Sequence, residues 1–324
     1  MKAWNWTAAA LAAAPAALAL AIWLGGPEQP VVQNTISLAF SQADYSTVPP
    51  VTLFKARDGE RLAYRRYANT GTGEVRGSVV LVHGSSATSQ SMHPLATALA
   101  AAGHEVYALD IRGHGDSGTK GRVVYIGQLE DDLNDFLKAV TPTQPSTLVG
   151  FSSGGGFALR YAAGPDAKSF QSYVLLSPFL HQDAPTQRPD SGGWVSVGVP
   201  RIIALSVLNG FGVRKLNGLS VVRFAIDPTN RELLTESYDF SLSGNFRPND
   251  DYQSDVSAVR QPLAVLVGER DEAFIADRFK AIFSNAPGMR HISTLPGVDH
   301  AGLVLQSEAI AGIIASVVTL QGEE

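Results

Sequence analysis

The run Ser78-Val79-Val80-Leu81-Val82 is apolar at four consecutive positions, the pattern of a strand buried on both faces. Two rhythms alternate around it. Val51 to Lys55 and Leu62 to Tyr67 flank Asp58-Gly59 and predict two strands joined by a turn. Thr70 to Gly77 is a Gly-rich loop. Pro94 to Ala102 predicts a helix ended by Gly103, and Glu105 to Leu109 a strand. From Ile126 to Val140, residues Ile126, Leu129, Leu133, Phe136, Leu137 and Val140 share one helical face. Ser146 to Val149 predicts a strand, Ser153 to Ala163 a helix and Tyr173 to Leu176 a strand. The rhythm then breaks from Phe179 to about Ala258, too long for a connection. It resumes with Pro262 to Val267 (strand), Ala273 to Phe283 (helix), His291 to Thr294 (strand) and Glu308 to Leu320 (helix). Such alternation predicts an α/β fold: a mainly parallel sheet covered by helices on both faces.

The N-terminus follows another pattern. Thr7 to Leu24 is eighteen residues in which Thr7 is the one polar member. As a helix it would measure roughly 27 Å, just short of the ~30 Å hydrocarbon core of a bilayer. Trp4 and Trp6 flank one end and Trp23 the other; Lys2 precedes the run, and no Lys or Arg follows until Lys55. These features predict an N-terminal segment (1–26) that is a membrane anchor or a signal peptide, with the folded domain on the extracytoplasmic side. Cleavage after Ala19-Leu20-Ala21 would instead give a periplasmic or secreted product. Pro27 to Pro50 is polar and low in charge and reads as a linker, which leaves 51–324 as the folded domain.

Composition narrows the function. With 45% hydrophobic and 17% charged residues the chain can build a sizeable core. A net charge of −5 provides no basic field, so nucleic acid is not an expected partner. The absence of cysteine excludes disulfides, thiolate metal sites and a thiol nucleophile.

Chemistry concentrates in four loops, each after a predicted strand. Gly150-Phe151-Ser152-Ser153-Gly154 joins a strand to a helix. A sharp turn there holds Ser152 in a strained conformation, and glycines on either side leave room for it. The helix N-terminus behind favours developing negative charge. A serine hydroxyl needs a base. Of seven histidines, His300 stands in the loop Gly297-Val298-Asp299-His300 beyond the last strand, where a parallel sheet presents catalytic groups. His104 follows a helix-ending glycine and suits capping, and His291 suits packing or solvent. The base needs an orienting carboxylate. Asp271, in Gly268-Glu269-Arg270-Asp271-Glu272, is favoured over Glu269, Glu272 and Asp299. The loop His83-Gly84-Ser85-Ser86 suits an oxyanion donor at the Ser85 backbone N–H, with the Ser153 N–H as the second; His83 reads as a buttress of that loop.

With these residues placed, the chain resembles the monoacylglycerol lipase, lysophospholipase and serine aminopeptidase-like branch of the α/β-hydrolases. The matching pieces are Asp58-Gly59-x-x-Leu62-x-Tyr64-Arg65, Val82-His83-Gly84, Asp110-Ile111-Arg112-Gly113-His114-Gly115-Asp116-Ser117-Gly118, Gln128-Leu129-Glu130-Asp131-Asp132-Leu133 and the Ser152 turn. Ser153 departs from that branch, many members of which carry Met or Gln after the nucleophile. The resemblance implies that Phe179 to about Ala258 is a helical cap over the site, apolar in Trp194 to Leu208 and Leu216 to Phe224 apart from Arg201 and Arg223. It implies that the Arg112-Gly113-His114-Gly115 loop is architectural, shaping the site's floor. It further implies hydrolysis of carboxylic esters, with a lipid ester such as a monoacylglycerol or lysophospholipid as partner and no cofactor or metal. A peptidase removing N-terminal residues is the alternative; Asp227, Glu232 and Glu236 could then receive the substrate's amine. A non-catalytic binding protein on the same scaffold is a third reading, against which the full set Ser152, Asp271 and His300 stands.

Overall fold

The computed structural model describes residues 14–31, 36–189 and 193–322. In chain order, a helical stretch over residues 14–24 (α1) and α2 (Ile36–Ser41) precede β1 (Thr52–Lys55), β2 (Arg61–Tyr67) and β3 (Ser78–Val82). Then come α3 (His93–Ala101), β4 (Glu105–Leu109), α4 (Gln128–Val140), β5 (Ser146–Phe151), α5 (Ser153–Ala163) and β6 (Ser172–Leu176). The inserted region holds β7 (Val195–Val197), α6 (Val199–Gly210), β8 (Ser220–Phe224), β9 (Ser237–Asp239), α7 (Phe240–Asn245) and α8 (Tyr252–Ala258). The chain returns with β10 (Leu263–Gly268), α9 (Asp277–Phe283), β11 (Met289–Leu295), α10 (Gly302–Leu305) and α11 (Ser307–Gln321).

Eight strands form one sheet in the order β1-β2-β4-β3-β5-β6-β10-β11. The β1–β2 and β2–β4 pairings are antiparallel, and the other five are parallel. The pleat divides each central strand between two cores. Val80 and Val82 of β3 join Phe136 of α4 and Phe157 of α5 on one side. Val79 and Leu81 join Leu95 and Leu99 of α3 and Ile313 and Val317 of α11 on the other. This two-sided burial is why the β3 segment is apolar at every position from 79 to 82. The strand order reverses between β3 and β5, because β4 continues to one side of β3 and β5 lies on the other. An open α/β sheet binds ligands beyond the strands' C-terminal ends at such a reversal.

The cap differs from the helical one expected. The resemblance implies helices over this region, Leu216 to Phe224 included, yet Ser220–Phe224 is the middle strand of a three-stranded antiparallel sheet, β7-β8-β9. Val221 is fully buried and Val222 nearly so, so consecutive residues face two packed layers and mask the strand's alternation. The segment also pairs with strands distant in sequence, which no local pattern reports.

The predicted membrane span is corrected. No helix among the described residues is long and apolar enough to cross a membrane. Residues 7–13 of the predicted Thr7 to Leu24 span lie outside the described residues. The described part, α1, ends against the cap: Arg201 of α6 donates from Nε to the Ile22 carbonyl (2.6 Å) and from Nη2 to that of Trp23 (3.3 Å). Its Nη1 reaches the Ser220 carbonyl at 2.7 Å. A cation on the unpaired carbonyls of a helix C-terminus stabilises that end, and Ile22 is buried there. The extracytoplasmic placement rested on that span and falls with it.

Candidate active site

The elbow begins where β5 ends. Ser152 has φ 55° and ψ −119°, a left-handed backbone that a non-glycine residue adopts only when its surroundings impose it. The glycines on either side explain how it is accommodated. A Cβ at Gly150 would lie 2.2 Å from the Gly154 carbonyl oxygen, and one at Gly154 would lie 2.3 Å from that of His83. Both distances are impossible for real side chains, so the turn needs glycine at both places. The Ser152 N–H donates to Leu176 O (2.9 Å), and its carbonyl accepts from Gly156 and Phe179, which fixes the turn to β6 and α5.

His300 is buried in the loop after β11, and its Nδ1 lies 2.8 Å from Asp271 Oδ2. Asp271 is fully buried. Its Oδ1 accepts from the N–H groups of Ala273 and Phe274, both at 2.9 Å, so one oxygen is held by backbone and the other faces the imidazole. The same two bonds delay α9, which starts at Asp277 rather than at the expected Ala273. Burial opposes charge on Asp271, but the His300 charge and hydrogen bond outweigh it and hold the carboxyl below its ordinary range. Burial likewise opposes charge on His300; Asp271, then Glu272 and Asp299, outweigh it and raise the imidazole above its ordinary value. The competing carboxylates have other partners. Glu272 accepts from the His300 backbone N–H (3.0 Å), Glu269 from Gly297 N–H (2.8 Å) and Asp299 from Gly302 N–H (2.7 Å). They shape the loop rather than touch the ring.

Ser152 and His300 open into one cavity of about 340 Å³. Gly84 and Ser85, after β3, line it beside them. A Cβ at Gly84 would fall 3.2 Å from Ser152 Cβ, so the Gly84 backbone passes close to the elbow. Ser153 opens α5, where the first N–H groups have no partner within the helix. Its hydroxyl lies 2.5 Å from that of Ser85, tying the two predicted oxyanion positions together.

His83 buttresses this loop as expected. Its Nδ1 donates to Gly84 O (2.7 Å) and its Nε2 accepts from Ile111 N–H (3.2 Å), which leaves neither nitrogen for proton transfer. At His104 the backbone N–H, and not the ring, reaches the end of α3, donating to Leu99 O at 3.2 Å. His291 Nε2 lies 2.9 Å from Ser316 Oγ of α11, a packing contact.

Two groups of residues at the site had not been expected. One is a clamp from the cap. Ser86 has φ 65°. Its N–H donates to Tyr238 Oη (2.6 Å), its Oγ to Thr235 O (2.7 Å), and its carbonyl accepts from Thr235 N–H (2.9 Å). The Tyr238 hydroxyl in turn donates to His114 Nε2 (2.6 Å), since its oxygen already accepts from Ser86. The strained residue beside the predicted donor Ser85 is thus held by the inserted region. The other group is Phe40 and Tyr45, which line the cavity from the stretch expected to be a linker. They are the aromatic residues of that polar stretch, the one signal that could have marked it as packed.

Comparisons with known proteins bear on the fold and the family. A monoacylglycerol lipase of Mycolicibacterium smegmatis is 38% identical over 134 residues, 40% of this chain and 46% of the relative. A monoglyceride lipase of Saccharomyces cerevisiae is 29% identical over 156 residues, 44% of this chain and 50% of the relative. The chain thus aligns with about half the length of these curated relatives. Among solved structures, a soluble variant of the Saccharomyces cerevisiae monoglyceride lipase with a substrate analog superposes with a TM-score of 0.66 at 19% identity, covering 87% of this chain and 97% of that one. A monoacylglycerol lipase from Paleococcus ferrophilus gives 0.61 at 20% identity, covering 80% and 99%. These likenesses establish the α/β-hydrolase fold. The family model described as serine aminopeptidase, S33, matches residues 73–304, a span from the start of β3's approach to α10 that contains every predicted site residue. By that match the chain belongs to the serine aminopeptidase S33 family of α/β-hydrolases.

Proposed function

We propose that this protein is a serine hydrolase that cleaves carboxylic esters of lipid type, monoacylglycerols or lysophospholipids, through an acyl-enzyme on Ser152. The observation that carries the reading is the convergence of Ser152 and the Asp271-bound His300 on one cavity with largely apolar walls. Ser152 Oγ attacks the ester carbonyl while His300 Nε2 takes its proton. Asp271 fixes the tautomer that leaves Nε2 unprotonated and stabilises the imidazolium that forms. Backbone N–H groups of Ser85 and Ser153 receive the oxyanion. His300 then returns the proton to the departing alcohol. Water, deprotonated by the same imidazole, releases the fatty acid and regenerates Ser152.

Trp194, Phe224, Ile226, Leu233 and Leu234 of the cap line the cavity. Each acyl methylene moved from water into such a wall gains about 0.8 kcal/mol, or roughly fourfold in kcat/KM. The expected result is a kcat/KM that climbs with chain length across p-nitrophenyl esters from acetyl to decanoyl, until the cavity is filled. A flat profile would remove the lipid assignment. The peptidase alternative needs a carboxylate to receive a free amine, and none of the described residues lining the cavity carries one. Asp227 instead binds Thr229 of its own turn, and Glu236 lies 3.7 Å from Arg231. Aminoacyl-p-nitroanilides are therefore expected to be poor substrates; efficient turnover of them would reverse the assignment.

The elevated His300 pKa carries a pH prediction. A general base works unprotonated, so activity should fall as pH drops through the folded-state pKa of His300. The acid limb of kcat/KM is expected above the ordinary histidine value of about 6.5. Glu272→Gln removes one of the charges that raise it, so that limb should move to lower pH. A limb that stays in place, or moves up, would show that Glu272 does not act on the imidazole.

A further inference from the structure

We propose that the N-terminal strap Phe40–Pro49 forms one wall of the acyl site and sets acyl-length selection. The inference rests on the ester-hydrolase reading and extends it to residues outside the family match, which begins at residue 73.

Phe40 and Tyr45 line the same cavity as Ser152, although they precede it by more than a hundred residues. Phe40 sits over Phe151, with ring centroids 6.5 Å apart, and Phe151 packs on the His300 imidazole at 4.7 Å. The strap's wall is therefore continuous with the residues beside the reacting bond. The cap's Trp194, Phe224 and Leu234 line the same cavity, so strap and cap both contribute to its walls.

The strap is held to the domain at several points. His93 of α3 is the main one. The Tyr45 ring lies 6.2 Å from its imidazole, Thr47 Oγ1 is 3.1 Å from its Nε2, and Tyr67 Oη is 3.0 Å from its Nδ1. Burial lowers the His93 pKa, and Thr47 meets its Nε2 while Tyr67 and Thr97 (3.4 Å) meet its Nδ1. The Arg65 guanidinium grips the Pro49 carbonyl and reaches Ser89 Oγ at 3.1 Å. Asp44 Oδ1 closes a turn on Ser46 N–H at 2.8 Å. A free linker would make no such contacts; here the Pro49 carbonyl takes the Arg65 guanidinium and the Thr47 hydroxyl meets the buried His93 ring. Two aromatic rings placed against a lipid-sized cavity by that many fixed contacts have the construction of a binding wall.

The test is the acyl-length series on Phe40→Ala and Tyr45→Ala, beside the wild type and Phe40→Leu. The readout is the ratio of kcat/KM for octanoyl over acetyl esters. Loss of a ring that contacts about two methylenes should lower that ratio about tenfold in Phe40→Ala, mainly through KM, and Phe40→Leu should recover most of it. An equal fall across all chain lengths would mean that Phe40 only supports Phe151 and His300, and an unchanged profile would mean that no acyl chain reaches the strap. Either result overturns the proposal. Labelling rates with alkyl fluorophosphonates of graded length make the test independent of ester turnover. Should the wild type hydrolyse no ester yet label at Ser152, the substrate reading fails while the strap is still judged by whether Phe40→Ala slows the long-chain probe selectively.

Discussion

Ser152→Ala is expected to lower kcat by on the order of 10⁶-fold, with His300→Ala close behind and Asp271→Asn nearer 10⁴-fold. The three differ for structural reasons. Ser152 supplies the bond-forming atom, and His300 moves every proton in the cycle, so loss of either leaves only the oxyanion donors and substrate binding. Asp271→Asn is subtler. Its remaining oxygen can still accept from Ala273 and Phe274 N–H, so the loop survives. The new amide N–H₂ then faces His300 Nδ1, which must accept rather than donate. The proton moves to Nε2, and the ring can no longer act as base toward Ser152. Because the residues act as a unit, Ser152→Ala combined with His300→Ala should be scarcely slower than either alone. Thermal unfolding should change little for Ser152→Ala. Steady-state rates and fluorophosphonate labelling check the set together. Full turnover or full labelling in Ser152→Ala would end the assignment of this serine.

Much of this site is readable from the chain because its parts obey local rules. The elbow needs glycine on both sides of Ser152 for steric reasons, so Gly150 and Gly154 mark it without any tertiary knowledge. Val79 to Val82 is apolar throughout because both sheet faces are covered. Asp271 was harder, since Glu269 and Glu272 stand in the same loop; the choice is made by two backbone N–H groups that hold the aspartate's oxygen, a geometry no composition reveals. The cap sheet, the strap and the Ser86 clamp were not legible, for a shared reason. Each depends on pairing between residues far apart: Val222 with Tyr238 and Val195 with Phe224, Thr47 with His93, Ser86 with Tyr238. The end of α1 shows the same limit. Read alone, Thr7 to Leu24 has the apolarity of a membrane span, but the Arg201 guanidinium that receives its last carbonyls stands some 180 residues away.

Arg112→Met is expected to destabilise the fold by about 3–5 kcal/mol at pH 7. Arg112 forks onto Asp132, from Nε to Oδ2 at 2.7 Å and from Nη2 to Oδ1 at 2.6 Å, and its Nη1 reaches Asp58 at 3.0 Å. The Arg112 and Asp132 side chains are 6% and 9% exposed, so neither charge has water as an alternative partner. Asp58, at 39%, can be solvated when the arginine is lost. The cost therefore falls on Asp132. Burial raises its carboxyl above the ordinary range even with Arg112 in place, and removing the guanidinium should raise it further. A buried carboxyl whose folded pKa exceeds its unfolded one takes up a proton on folding as pH falls, so the deficit of Arg112→Met relative to wild type should shrink between pH 7 and about 5. Arg112→Met with Asp132→Leu, which removes both charges, should recover a large part of the loss. Activity should suffer with stability, because the next residues serve the oxyanion loop: Gly113 O accepts from Thr235 Oγ1 (3.0 Å), and His114 Nε2 receives the Tyr238 hydroxyl that holds Ser86. Denaturant unfolding of the single and double variants at both pH values measures all of this. A deficit in Arg112→Met that is independent of pH and persists in the double variant would show that lost packing, not the stranded carboxylate, accounts for the cost.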